Sequence, residues 1–322
     1  MKILAGNLLL KVRIGIKLRH LFKNWIFALF SYIVGNKRIH VICRDGSSDY
    51  LDRVIFGRLV RAYYNGFVRD YLCRDGIIID SHGNKIPINE FRSLTLAGLR
   101  CGWRYVDGFW VLNDVRFKHL YHTIYEVFNM GSYEILDVSG KYVIDIGAFV
   151  GDSTIYFLMR GSRFVIAVEP HPWAFDELLI NVRANGLLGR VLPINAAISY
   201  GNDYVCINSG ASTIDAISTY FNRPANDNCV FIVKAMRLSD LMNSINARDS
   251  TGLVLKLDCE GCELDIVTKD YDALLNFDEL IIEWHSRKHG TPVDIALNIL
   301  KDFNCVIIKN HLLHCVRKHR PS

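Results

Sequence analysis

A chain of 322 residues, half of them apolar and 22% charged, is long enough and apolar enough to bury a substantial core. These proportions exclude an intrinsically disordered chain, and 23 Gly and 7 Pro exclude a collagen-like or low-complexity one. No apolar run reaches the roughly 18 residues of a membrane span, so a polytopic membrane protein is excluded too.

The formal charge of +5 is unevenly spread. Residues 1–44 hold nine Lys and Arg and no Asp or Glu, so this arm carries +9 and leaves −4 for the rest. On a helical wheel Arg13, Lys17, His20, Asn24 and Ser31 fall on one side, and Leu18, Leu21, Phe22, Trp25, Ile26 and Leu29 crowd the other. That pattern predicts a basic amphipathic helix over residues 1–36. Two placements stay open for it: packing on the protein itself, or peripheral contact with an anionic membrane surface through residues 8–34. The apolar run from Trp25 to Val34 is too short to span a bilayer, and no small-residue cleavage site follows it. Basic residues do not recur as a patch elsewhere, so no nucleic acid partner is expected.

The nine cysteines are scattered at 43, 73, 101, 206, 229, 259, 262, 305 and 315, without the regular framework of a small secreted domain. Reduced thiols in a cytoplasmic protein, peripheral on the inner membrane face if the arm binds there, are the simplest expectation. Cys259 and Cys262 have CxxC spacing, but no second ligand pair accompanies them. They read as small residues flanking Glu260 and Gly261.

Residues 37–135 read as an accessory α+β region. Ile77–Ile79 and Lys85–Ile88 are short strands around a turn at Asp80–Asn84, Phe109–Leu112 is another strand, and Phe117–Phe128 reads as a helix. No catalytic spacing occurs in this stretch.

The informative part is residues 136–322. Tyr142–Ile146 is a short apolar run that ends in the turn Gly147-Ala148-Phe149-Val150-Gly151-Asp152, and Ser153–Met159 is helical in pattern. A second strand, Phe164–Val168, ends at Glu169-Pro170; a helix near 173–185 then leads to a third strand, Val191–Ala196. Strands alternating with helices predict a parallel sheet covered on both faces, with ligands beyond the carboxyl ends of the strands. The glycines allow close approach of a ligand, and Glu169 suits a ribose diol. A dinucleotide site would prefer GxGxxG; here the spacing is GxxxG, with Asp152 set to repel phosphate at the helix start. Missing phosphate chemistry beside a ribose acceptor favours S-adenosylmethionine (SAM) over NAD. Further strands at Leu253–Asp258 and Leu280–His285 follow. Cys305–Ile308 and Leu312–Val316, only three residues apart, must pair antiparallel. The expected fold class is α/β: a Rossmann-like, class I methyltransferase seven-stranded sheet with a closing antiparallel hairpin, plus the N-terminal accessory region.

Val143-Ile144-Asp145-Ile146-Gly147-Ala148 with Gly151-Asp152, the Glu169-Pro170 pair, and Leu255-Lys256-Leu257-Asp258-Cys259-Glu260-Gly261-Cys262-Glu263 together resemble the FkbM-type SAM-dependent methyltransferases. Thr154-Ile155-Tyr156-Phe157 with Gly161 is similar to that family's first helix. The resemblance spans roughly residues 130–310. It departs at Phe149, where the family usually has Asn.

What the resemblance implies is methyl transfer from SAM to a hydroxyl oxygen of a sugar, glycan or related small-molecule acceptor. Asp145, Gly147, Ala148, Gly151, Asp152, Glu169, Ala196 and Asp258 are the expected cofactor-binding residues. A hydroxyl is a weak nucleophile and needs a proton acceptor. Glu260 ranks first and His285 second, with Asp258 holding the cofactor's ammonium end or the acceptor. Lys256 and Glu263 read more readily as second-layer or surface residues. Asp258, Glu260, Glu283 and His285 have the chemistry of a divalent-cation site, yet nothing in their spacing demands one, and no metal is expected. Gly210-Ala211-Ser212-Thr213-Ile214, in an insertion over residues 199–231, is a candidate polar loop over the site. An NAD-binding oxidoreductase and a catalytically inactive SAM-binding protein are the alternatives.

Overall fold

The computed structural model describes residues 16–92, 94–201, 203–208, 220–221, 229–244, 252–309 and 311–318. The candidate loop Gly210–Ile214 lies outside the described residues. Two compact units divide the chain, Met1–His122 and Thr123–Ser322. No helix among the described residues is long and apolar enough to cross a membrane.

Three small antiparallel sheets and the helices Trp25–Ile33, Arg53–Tyr64 and Thr95–Arg100 are found among the described residues of the first unit. Strands Arg38–Ile42 and Ser48–Asp52 pair; Val68–Leu72, Ile77–Asp80 and Lys85–Pro87 form a second sheet; Arg104–Val106, Phe109–Leu112 and Val115–Phe117 form a third. The turn expected at Asp80–Asn84 is there, and Asp80 Oδ1 makes it by accepting from the backbone N–H of His82 at 2.8 Å and of Asn84 at 2.9 Å. Two expectations need correction. A single helix does not run through residues 16–36: the nine-residue helix Trp25–Ile33 is preceded by an antiparallel bridge between Phe22 and Cys43. Leu18, Leu21 and Phe22 are buried, Phe22 against Phe56 and Tyr71, so their transfer out of water overrides the local helical pattern. Nor is Phe117–Phe128 one helix. Phe117 is a strand residue paired with Trp110, both fully buried, and the helix is confined to His122–Phe128.

The second unit opens with that helix, because Phe128 packs on Tyr156 and the buried Tyr133 on Phe157. Its frame is a seven-stranded sheet: β1 (Tyr142–Ile146), β2 (Phe164–Val168), β3 (Val191–Ile194), β4 (Leu253–Leu257), β5 (Glu279–Glu283), β6 (Phe303–Lys309) and β7 (Leu312–Arg317). The spatial order is β3-β2-β1-β4-β5-β7-β6. Strands β3 to β5 along that order are parallel, while β7 runs antiparallel to both β5 and β6. This is the expected α/β sheet with its closing hairpin. Strand order reverses between β1 and β4, so the crevice for a ligand belongs above their carboxyl ends.

Helices α1 (Asp152–Met159), α2 (Pro172–Ala184), α3 (Glu263–Lys269) and α4 (Val293–Ile299) connect the strands. Every residue of β4 is buried, Lys256 included, as befits a central strand covered on both faces. Its Leu253, Leu255 and Leu257 share a core with Ile144, Ile166, Phe277, Ile282 and Trp284. Between β3 and β4 a smaller sheet is inserted, built from Ala197–Ile198, Tyr204–Asn208, Tyr220–Phe221 and Cys229–Met236.

The expectation of reduced thiols is overturned. Eight of the nine cysteines pair as Cys43–Cys73, Cys206–Cys229, Cys259–Cys262 and Cys305–Cys315. The partners are brought together by folding rather than by any periodic spacing; Cys305 and Cys315, for example, face each other across the β6–β7 hairpin. Among the described residues Cys101 is the cysteine left unpaired. Thiol titration of the denatured, unreduced chain is therefore expected to count one free thiol, rising to nine after reduction. A count of nine before reduction would refute the pairing.

Candidate active site

The site is built where β1 and β4 end side by side. Ile146 is in register with Val168 of β2 and with Leu257 of β4, so Gly147, Glu169 and Asp258 leave the sheet on one rim. Gly147 has φ +77°, and a Cβ there would overlap the carbonyl oxygen of Asp258. The two loops touch through that missing side chain. Gly151, at φ +84°, precedes α1, and the side chain of Asn181 donates to the Val150 carbonyl at 2.9 Å.

A cavity of about 250 Å³ opens along this rim. Ile146, Gly147, Val168 and Ala196 line its sheet side, and Glu260, Asp265 and His289 bring polar groups to it. Of the expected cofactor residues, Gly147 and Ala196 thus meet the cavity directly. Asp145, Ala148, Asp152 and Glu169 are buried, and neither they nor Gly151 and Asp258 are among the residues that line it. Asp145 Oδ2 accepts from Ser153 Oγ at 2.7 Å and Thr154 Oγ1 at 2.6 Å, which ties β1 to the first turn of α1. Glu169 is buried, with Oε2 accepting the Phe149 amide and Oε1 the His171 amide, both at 2.8 Å. It pins the turn. Phe149 itself adopts φ +46°, a left-handed conformation that Asn tolerates better than a bulky ring.

Lys256 is the residue whose importance the sequence conceals. It is 2% exposed, and its Nζ donates to the Gly147 carbonyl at 2.7 Å while lying 3.3 Å from Asp145 Oδ1 and 3.5 Å from Asp258 Oδ2. Burial alone would favour the neutral amine. Tyr133, Asp145, Asp258 and Asp152 around it outweigh that, holding its pKa well above the ordinary value and the ammonium charged. Asp152 feels burial most, which lifts its carboxyl to about 6 although Thr123 and Lys256 pull it back.

On the other side of Asp258 stands His285. Glu263, fully buried, accepts His285 Nδ1–H at Oε1, 2.8 Å away, and the same oxygen accepts the Cys259 and Gly261 amides, each at 3.2 Å. The carboxylate therefore fixes the ring and the loop together, leaving Nε2 3.6 Å from Glu260 Oε2 and 3.8 Å from Asp258 Oδ1. Burial disfavours the imidazolium, but the bond to Glu263 and the charges of Glu263, Asp258 and Glu260 carry its pKa to about 9. Glu283, 3.8 Å from Nε2, is raised to about 7 by burial and then by Asp258. Glu260 occupies a left-handed backbone conformation, φ +58°, the kind of local strain that collects at functional sites. Asp258, Glu260 and His285 hold ligand atoms all within 4.8 Å of one another, a donor set that suits a cation as well as a proton.

All three expected catalytic residues are thus gathered in one place. Glu263, Lys256 and His289 join them from outside that set. His289, packed edge-on to Trp284, has a pKa lowered first by burial. Its only sequence signal is its place just beyond β5.

A profile of the methyltransferase FkbM domain matches residues 145–304, a stretch that begins in β1 and ends in β6 and contains this whole rim. Residues 145–304 belong to the FkbM methyltransferase family. Among solved structures the chain is similar to a methyltransferase FkbM from Methylobacillus flagellatus KT, at 15% identity and a TM-score of 0.38, over 57% of this chain and 45% of that one. The chain therefore spans under half the length of that FkbM protein. It is also similar to a ribosomal protein L11 methylase from Lactobacillus delbrueckii subsp. bulgaricus, at 13% identity and a TM-score of 0.35, over 62% of this chain and 80% of that one. A methyltransferase from Geobacter sulfurreducens matches at 14% identity and a TM-score of 0.32, over 61% of this chain and 87% of that one. No curated protein matches the chain. The family assignment rests on the profile match.

Two outcomes follow. Gly147→Ala should destabilise the FkbM domain by roughly 2–4 kcal/mol, because a methyl must displace the Asp258 carbonyl or distort a left-handed turn. Thermal unfolding no lower than wild type would refute the contact. His285, with a folded pKa near 9 against an ordinary 6.5, stabilises the fold fully below about pH 6.5, and this contribution fades as pH rises through 9. Wild type should lose its stability advantage over His285→Gln between those limits, by on the order of 2 kcal/mol in denaturant titrations. A pH-independent difference would show that the ring is not held as an imidazolium.

Proposed function

We propose that the FkbM domain transfers a methyl group from SAM to a hydroxyl oxygen of a sugar, glycan or related small molecule. The observation that carries this reading is the convergence of Asp258, Glu260 and His285, whose ligand atoms lie within 4.8 Å of one another, with Glu260 lining the cavity where strand order reverses.

The chain's own residues suit SAM. Apolar walls from Ile146, Val168 and Ile198 suit a flat adenine, and Asp265 provides negative charge for a cationic ligand. Gly147 and Ala196 allow close approach along the sheet edge. Asp152, buried at the start of α1, opposes a pyrophosphate there and so argues against NAD. SAM, when bound, supplies an electrophilic methyl on a sulfonium.

The proton of the acceptor hydroxyl goes to Glu260. His285 already carries a proton below about pH 9, so it is not the acceptor at neutrality. As an imidazolium fixed by Glu263, it holds Glu260 and Asp258 in place across 3.6 and 3.8 Å. Asp258, also 3.5 Å from Lys256, orients the cofactor's ammonium end or the acceptor. No metal is needed for this sequence of events. The finer placement, cytoplasmic on an inner membrane face, requires the four cysteine pairs to persist in reducing surroundings.

Methyl-labelled SAM offered with a panel of sugars and hydroxylated small molecules tests the reading. Label should move to an acceptor, insensitive to EDTA, and Glu260→Gln should lower kcat by about a hundredfold or more while SAM affinity stays within a few-fold. Binding of NAD without SAM, or full transfer by Glu260→Gln, would overturn it.

A further inference from the structure

We infer that helix Trp25–Ile33 is a docking surface for an anionic lipid bilayer. This inference rests on the first unit alone and stands whether or not the methyl-transfer reading holds.

The helix buries Ala28 against its own unit and turns the opposite side to water. Ile26, Phe27, Phe30, Ile33 and Val34 are 53–76% exposed. At 100° per residue these five fall within an arc of about 120°, so they form one stripe rather than scattered surface residues. Two exposed phenylalanines in a contiguous stripe are unusual for a surface that meets only water.

Charge selects the occupant. Every Asp, Glu, Lys or Arg between residues 16 and 44 is basic. Lys23 precedes the helix and Lys37 and Arg38 follow it, all three exposed, and among the described residues none of them is ion-paired. The stripe is therefore bracketed at both ends by unneutralised cations. A protein partner of matching shape would need its own acidic rim, whereas a bilayer with anionic headgroups offers an apolar interior and a negative surface together. The helix, nine residues and about 13.5 Å long, is too short to span the hydrocarbon core and suits an in-plane position. The apolar side differs from the one the wheel suggested: Leu18, Leu21 and Phe22 are spent on the core, and Phe27, Phe30, Ile33 and Val34 replace them.

Flotation of the full chain with phosphatidylcholine vesicles, with and without phosphatidylglycerol, tests the inference. Binding should require phosphatidylglycerol, and NaCl at about 0.5 M should release most of the protein. Phe27→Glu/Phe30→Glu, two exposed positions, should leave thermal unfolding unchanged and cut the bound fraction at least tenfold. Lys37→Glu/Arg38→Glu should weaken binding to the anionic vesicles in the same way. The inference fails if wild type stays unbound, if either double variant binds as wild type does, or if wild type is a dimer in solution that Phe27→Glu/Phe30→Glu converts to a monomer without any vesicle binding.

Discussion

Lys256 sits in the middle strand of the sheet with its ammonium wholly enclosed, touching the end of β1 through Asp145 and the Gly147 carbonyl and the end of β4 through Asp258. A buried charge of this kind is tolerated only when its partners are close and oriented, and removing one partner of such a pair commonly costs about 3–5 kcal/mol. The geometry of the rim follows from satisfying it. Asp145 is drawn toward the ammonium while also receiving Ser153 and Thr154, so α1 starts where it does. Asp258 is drawn inward with one oxygen, leaving the other toward His285.

From Asp258 outward the same logic repeats with an imidazolium in place of the ammonium. Glu263 collects His285 and two loop amides on a single oxygen, and the ring then faces Asp258, Glu260 and Glu283. Two cations and a ring of carboxylates thus alternate along the rim, from the closed interior beneath Gly147 to the half-exposed edge at Glu260. The gradient of burial gives the carboxylates different tasks: Asp145 and Glu263 position other groups, while Glu260 meets the cavity.

The sheet was legible in the sequence because its signals are local. Apolar runs of four to six residues mark strands, and the three-residue gap before Leu312 permits only an antiparallel return. The segment from Leu255 to Glu263 marked the functional edge for the same reason. Lys256 was undervalued because a lysine in isolation reads as a surface residue, and only the enclosing carboxylates reveal otherwise. Glu263 and His285 are 22 residues apart, and the cysteine partners up to 30, with no periodicity linking them. The amphipathic wheel misled at Leu21 and Phe22, where a cross-strand bridge to Cys43 competes with helix continuation. Periodicity records which residues prefer to leave water, not which neighbour will shelter them.

The contact between Gly147 and Asp258 also limits how such a fold can diversify. Two turns that arise 111 positions apart in the chain share one van der Waals surface, so neither can lengthen or shift without the other moving in concert. Heritable change on this rim is therefore restricted to compensated pairs, whereas segments attached at its outer margin are free to drift independently. Variation in loops around this rim would leave the joint of the two backbones in place.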